Sequence, residues 1–298
     1  MINYYLEWEK FFEEAIKLEV PDFKAKEKLI YLGIGGSGIP GRLLQDLGID
    51  VRIYRGFHAK SDVNTSALVV SYSGTTTETI TALMDVLRQG YYDIVVITSD
   101  GHLEKIAQEK NLKLVKIPKG LQTRYSFPYI FTTLIKLVNN ALGLGLNVTE
   151  LKDGVSEGKE RYVIYSKELA EKINGKIPVF YSNDYVGVAE RFKQELNENA
   201  KYPAFYDELP EANHNEIESY AKGRAPLLPI ILGLSEINDL TAEVINAIRI
   251  KPLFTRPLKI ISSLLLLAGL TSLELAQRLS EDPEKLYLIP QIRSKTSS

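Results

Sequence analysis

Short, largely apolar runs alternate with amphipathic stretches along nearly the whole chain. Residues 4–18 carry Leu6, Phe11, Phe12, Ala15, Ile16 and Leu18 at helical spacing, and Pro21 closes that segment. Strand-like runs follow at 29–32, 51–54, 67–70, 94–97 and 114–117. Helix-period segments separate them, and a long helix at 126–142 ends at Gly143. This alternation predicts right-handed βαβ units around a parallel sheet. Residues 143–175, which contain Gly154, Gly158 and Gly175, read as a helical or irregular connection. The pattern then restarts. It predicts a strand at 177–181, a helix at 185–199, a strand at 204–206 and a helix start near 214. A strand at 227–232, a helix at 238–248, a strand at 250–254 and a long helix at 257–279 complete it. The second half repeats the first in element order but not in sequence. The expected fold class is α/β, as two similar domains, 1–150 and 151–298, each a mainly parallel sheet flanked by helices.

Two glycine-containing turns stand out from this alternation. Leu29–Leu32 runs into Gly33-Ile-Gly35-Gly36-Ser37-Gly38, and a helical pattern through Leu43, Leu44 and Leu47 follows. Strand, glycine-rich turn and helix together aim bare backbone N–H groups at an anion, and the helix N-terminus adds partial positive charge. The second turn is Ser71-Tyr-Ser73-Gly-Thr75-Thr76-Thr77, again between an apolar strand and a helix. Its hydroxyls exceed what one helix cap needs. At the carboxyl ends of parallel strands the two turns would face one pocket. Gly33, Gly35 and Gly38 also fit the dinucleotide pattern G-x-G-x-x-G, but Arg55 stands where an acidic residue would bind a ribose hydroxyl.

Composition narrows the classes. The 298 residues are 45% hydrophobic and 25% charged, which suits a globular protein with a full core. A net charge of −2 gives no reason to expect a nucleic-acid or acidic-membrane partner. No cysteine is present, which excludes disulfides and thiolate chemistry. His58, His102 and His214 are the three histidines, and no pair has the spacing of a metal motif, so no metal or cofactor is expected. The acidic, amphipathic N-terminus does not resemble a signal peptide, and the expected location is cytoplasmic. The apolar run Ile260–Leu270 is too short to span a bilayer and reads as a buried helix.

With Ser71-Tyr-Ser73-Gly-Thr-Thr76, Gly35-Gly36-Ser37-Gly38, and the later Glu-Asn-Ala-Lys and Asn-His-Asn-Glu stretches, the chain resembles the archaeal bifunctional phosphoglucose/phosphomannose isomerases. These are SIS-domain phosphosugar isomerases. The resemblance extends over both halves and implies two SIS-type domains. It implies a homodimer with its active site at the subunit interface, and interconversion of glucose 6-phosphate, with mannose 6-phosphate as a second aldose, and fructose 6-phosphate through a cis-enediol. The phosphate would sit on Gly36, Ser37, Ser71, Ser73 and Thr76. The family's catalytic glutamate falls on Glu198, with Glu195 beside it in sequence. His214, contributed by the partner subunit, would open the sugar ring. Lys295, with Arg293 as its rival, matches a C-terminal lysine of the site, and Arg124 an arginine beside the reacting carbons.

The residues give independent reasons for these roles. A carboxylate can move a proton between C1 and C2 without a metal, and a fixed guanidinium can stabilise the enediolate. Glu198 lies at a predicted helix C-terminus, where the macrodipole disfavours a carboxylate. Asn213 and Glu216 have capping-box spacing, which would place His214 in a first helical turn. Arg191 and Glu195, four apart on one helix, would pair. Two other readings remain: a non-catalytic phosphosugar sensor, and an NADP-dependent oxidoreductase on the glycine pattern.

Overall fold

The computed structural model describes residues 3–90 and 93–296. The chain divides into two compact units, the first formed by residues up to Lys152 and the second by Asp153–Lys295.

In the first unit a helix, α1 (Trp8–Lys17), precedes five strands: β1 (Lys28–Leu32), β2 (Arg52–Tyr54), β3 (Thr65–Val70), β4 (Ile94–Thr98) and β5 (Lys113–Lys116). All pair in parallel, in the order β2-β1-β3-β4-β5. The crossovers are α2 (Ile39–Asp46), α3 (Thr77–Arg88) and α4 (His102–Glu109), and α5 (Phe127–Leu142) follows β5. Every residue of β3 and β4 is buried, as strands covered on both faces require. One face packs Ile30, Leu32 and Val69 against Ala82, Leu83 and Val86 of α3. On the other face Tyr31 lies under α2, so close that a Cβ at Gly41 would stand 2.6 Å from its ring. Trp8 of α1 stacks on Phe127 of α5 and donates its ring N–H to the Tyr125 carbonyl at 3.1 Å.

The second unit holds nearly all of α6 (Thr149–Ile173) and a second parallel sheet. Its strands are β6 (Ile177–Ser182), β7 (Phe205–Glu208), β8 (Leu227–Leu232) and β9 (Ile248–Ile250), in the order β7-β6-β8-β9. The helices are α7 (Val186–Asn199), α8 (Glu236–Val244), α9 (Pro257–Arg278) and α10 (Ile289–Thr296). Alternation along β6 assigns the layers. Phe180 stacks on Phe192 of α7, with centroids 5.0 Å apart, so α7 covers one face. Val179 and Tyr181 point the other way, into a cluster with Ala212 and Ala242 of α8. The most apolar stretch of α9 has a mean hydropathy of 1.7, enough by length and composition to cross a membrane, but 83% of it is buried inside the protein.

The structure departs from the sequence reading or sharpens it in four places. Residues 149–173, within the stretch read as a helical or irregular connection, are one continuous helix, in which Gly154 makes room for α9. A Cβ at Gly154 would stand 2.4 Å from the Ser262 hydroxyl of α9, and one at Gly158 would stand 3.4 Å from Ser263 Cβ. The strand expected at 250–254 is β9 at 248–250, after a helix that stops at Val244, with Asn246 at φ 50°. No α-helix starts near 214. Two 3₁₀ turns, Glu211–His214 and Glu216–Tyr220, stand there instead. The tail carries α10, which periodicity did not reveal.

Candidate active site

In the first sheet the strand order reverses between β1 and β3, and parallel sheets bind ligands at such a crevice, beyond the carboxyl ends of the strands. The two turns singled out in the sequence flank it. They are tied together across the crevice, since the Tyr72 N–H donates to the Ser37 hydroxyl at 3.1 Å. The Ser71 hydroxyl donates to Thr76 Oγ1 at 3.0 Å, and Thr75 donates its hydroxyl to Ser73 Oγ at 3.0 Å. Ser37 and Ser71 are buried, while Ser73 and Thr75 are exposed at the rim. Thr76 is the N-cap of α3, but its side chain makes no capping hydrogen bond. Its hydroxyl turns towards Ser71, and the first turn of α3 keeps its donors for an anion.

The glycines serve a different purpose from the one their number suggests. A Cβ at Gly33 would meet the Ser37 carbonyl at 2.7 Å, and one at Gly38 the Gly33 carbonyl at 2.9 Å. Most of the G-x-G-x-x-G pattern therefore lets the turn pack on itself. Gly35, at φ 59°, faces open space, and Gly36 follows it in the same 3₁₀ turn. The strand order 2-1-3-4-5 also differs from the 3-2-1-4-5-6 of the dinucleotide-binding fold that the glycine pattern would imply.

Arg124 lies in the loop between β5 and α5, beyond the same edge of the sheet. It is 3% exposed, with its guanidinium carbon 4.8 Å over the Tyr125 ring. Tyr72, the central residue of the second turn, holds this loop. Its hydroxyl donates to the Pro118 carbonyl at 3.1 Å and accepts the Leu121 N–H at 2.9 Å. The sequence reading missed this role, although Tyr72 sits within the Ser-Tyr-Ser-Gly motif.

In the second unit Glu198 stands in the last turn of α7, half-buried. Its neighbour Glu195 is engaged elsewhere. Its Oε1 lies 2.6 Å from Arg191 Nη2, and both side chains are 1% exposed. Its other oxygen accepts from Asn199 Nδ2 at 3.0 Å, and Asn199 bonds Ser272 of α9. Glu195 is thus a buried carboxylate held by a guanidinium and an amide, whereas Glu198 is half-buried at the helix end. Glu190, eight residues before Glu198 on the same helix, is also buried and was not foreseen. Lys295 lies in the last turn of α10, exposed, as does Arg293.

His214 ends the first 3₁₀ turn, exposed, on the Tyr181 face of the second sheet. The expected capping box is absent. The Asn215 side chain caps Glu216 at 2.5 Å, and Asn213 instead exchanges hydrogen bonds with Thr241 of α8. The reasoning from a helix N-terminus beside His214 therefore does not hold. Because α7 covers the opposite face, the sheet stands between Glu198 and His214 of one chain.

The second sheet has its own switch point, between β6 and β8, and the protein fills it. Asp184 Oδ2 accepts the Leu234 N–H at 2.6 Å, and its Oδ1 accepts from Asn238 Nδ2 at 2.7 Å. A Cβ at Gly233 (φ 115°) would stand 1.9 Å from that Oδ1, so only glycine admits the carboxylate. The other two histidines are exposed and lie elsewhere in the first unit. His58 pairs with Asp85 at 2.9 Å, and His102 starts α4.

Comparison with known proteins agrees with this architecture. Residues 163–295 match the family described as the bacterial phospho-glucose isomerase C-terminal SIS domain. The chain is 44% identical, over 99% of its length and 98% of the relative, to the D-glucosamine-6-phosphate 4-epimerase of Sulfolobus acidocaldarius. It is 34% identical, over 75% of its length and 70% of the relative, to the bifunctional phosphoglucose/phosphomannose isomerase of Caldicellulosiruptor bescii. A glucose-6-phosphate isomerase like protein from Thermus thermophilus shares the fold, with a TM-score of 0.67 over 99% of both chains at 16% identity. The chain belongs to the SIS-domain phosphosugar isomerase family. It is an enzyme of the sugar-phosphate isomerase and epimerase class.

Proposed function

We propose that this enzyme moves carbon-bound protons on an open-chain hexose 6-phosphate, and that its substrate is D-glucosamine 6-phosphate, inverted at C4. The observation that carries the phosphate reading is the pair of hydroxyl-bearing turns at the first switch point, with α3 left uncapped by Thr76. Gly36, Ser37, Ser71, Ser73 and Thr76 receive the 6-phosphate. The identity of the amino sugar rests on the relative matched from end to end.

Glu198 is the base, Arg124 stabilises negative charge on the enediolate oxygen, and His214 opens the ring with Lys295. One base acting at successive carbons walks a carbonyl along the open chain. On this amino sugar a first shift turns the C1 aldehyde and C2 amine into a C1 alcohol and a C2 imine, and a second returns the amine and leaves a ketone at C3, which makes the C4 hydrogen acidic with no atom lost. His214 faces away from Glu198 across its own sheet, which supports a homodimer in which this histidine serves the site of the second copy. Phosphorylated sugars place the reaction in the cytoplasm.

The second reading is interconversion of glucose 6-phosphate, and of mannose 6-phosphate, with fructose 6-phosphate. It is favoured by the relatives of that name. One experiment separates the two. D-glucosamine 6-phosphate and fructose 6-phosphate are incubated separately in D2O with a chelator and followed by NMR. Deuterium entering the inverted C4, at a rate that falls at least ~100-fold in Glu198→Gln, is the expected result. Conversion of fructose 6-phosphate alone selects the second reading. Binding of both without turnover would leave a sensor.

A further inference from the structure

Building on the reading of His214 as the ring-opening residue, we infer that Glu216 is its positioning residue, the anchor that locks the His214 turn onto the second sheet. His214 is exposed, but the chain on both sides of it is fastened. Before it, Asn213 donates to Thr241 Oγ1 at 2.9 Å and accepts from the same hydroxyl at 3.1 Å, which ties the turn to α8. After it, the Tyr181 hydroxyl of β6 donates to Glu216 Oε1 at 2.5 Å and meets the Tyr220 hydroxyl at 2.8 Å. Asp207 of β7, the register partner of Tyr181, presents its own carboxyl to Glu216. The Glu216 side chain therefore reaches two strands at once, two residues from the imidazole.

The chemistry of this contact favours a neutral acid. Burial raises the Glu216 carboxyl above its ordinary range, and the hydrogen bond and charge of Asp207 raise it further, against the lowering effect of the Tyr181 hydroxyl. A protonated Glu216 can donate to Asp207 while accepting from Tyr181. Two facing carboxylates would repel instead. Glutamine offers the same donor and acceptor permanently.

A solvated turn would not need a half-buried carboxyl, a pair of tyrosines and an asparagine–threonine exchange. An imidazole that must meet a sugar at fixed distance does need a rigid support, because small displacements of a catalytic group are costly in rate.

The test is a set of variants assayed on D-glucosamine 6-phosphate and fructose 6-phosphate, with folding checked by circular dichroism. Glu216→Ala should lower kcat at least about tenfold while KM stays within about twofold, and Glu216→Gln should remain within about twofold of wild type. In a His214→Ala background, Glu216→Ala should add nothing, because it acts only through the missing imidazole. Should Glu216→Ala fold poorly, Tyr181→Phe removes the donor at constant shape and should give the same silent double mutant. Losses that multiply with His214→Ala, or a folded Glu216→Gln as slow as the alanine variant, would overturn the positioning role alone. Full activity in His214→Ala would overturn the role of the histidine itself, and the anchor's purpose with it.

Discussion

Glu198 and His214 belong to the same unit, but the four strands β7-β6-β8-β9 stand between them, α7 packing on the Phe180 face and the His214 turn on the Tyr181 face. On the proposed reading, a site that uses both draws them from two copies. Glu198→Gln and His214→Ala should each lose turnover at least ~100-fold alone. Co-expressed, they should recover about a quarter of wild-type activity, because half of the dimers are mixed and each carries one intact site. An assay of the co-purified mixture that stays at the single-variant level would show that the two residues do not share a site across subunits.

Neighbouring glutamates on α7 should part company under mutation. Glu195 is buried against Arg191 at 2.6 Å, and removing it strands a guanidinium that is 1% exposed. Glu195→Ala should lose ~3–5 kcal/mol in urea unfolding. Half-buried Glu198, replaced by Gln, should change stability by no more than ~0.5 kcal/mol while abolishing most turnover.

The second turn separates binding from folding within two residues. Ser73 is exposed at the rim, where it accepts from Thr75 and, on the proposed reading, also meets the phosphate, so Ser73→Ala is expected to raise KM about tenfold with kcat within about twofold. Gly74 stands at φ 64°, with its Cβ position 1.7 Å from the Asp100 carbonyl. Gly74→Ala should therefore lower the melting temperature by several degrees, since the clash is with backbone that cannot rotate away.

Stability should fall as pH rises through the titration of Glu216. Its folded carboxyl is raised, by burial first and by the facing Asp207 next, so the folded state binds more protons than the unfolded chain. The stabilisation from this group is complete below the ordinary carboxylate range and is lost upward through the raised folded value. Tyr181 and Tyr220 do not ionise in that window. Burial first, and the Glu216 bond next, hold Tyr181 far above its usual range, and burial pushes Tyr220 up to about 12. Urea titrations across that range should show a slope in wild type that flattens in Glu216→Gln.

Much of this was legible from residue pattern alone. The βαβ alternation, both hydroxyl turns and the Arg191–Glu195 pair follow from local periodicity and spacing. What escaped depended on partners distant in sequence. The stretch around Gly154 could not be read as one helix because nothing local shows that Lys259 and Ser262, over a hundred residues on, need the space of its missing side chain. The apparent capping box at Asn213 failed because Thr241 claims that side chain and Asn215 does the capping. Tyr181, Asp207 and Glu216 meet only once β6 and β7 are paired.

Asp184 closes the crevice of the second sheet with the protein's own carboxylate, at the position where, on the proposed reading, the first sheet receives a phosphate. On that reading two crevices of matching strand order have opposite fates, one a receptor and the other sealed. The stoichiometry follows: isothermal titration with inorganic phosphate should saturate at one equivalent per chain. The second crevice is held by its own chain, through hydrogen bonds that need no sugar phosphate.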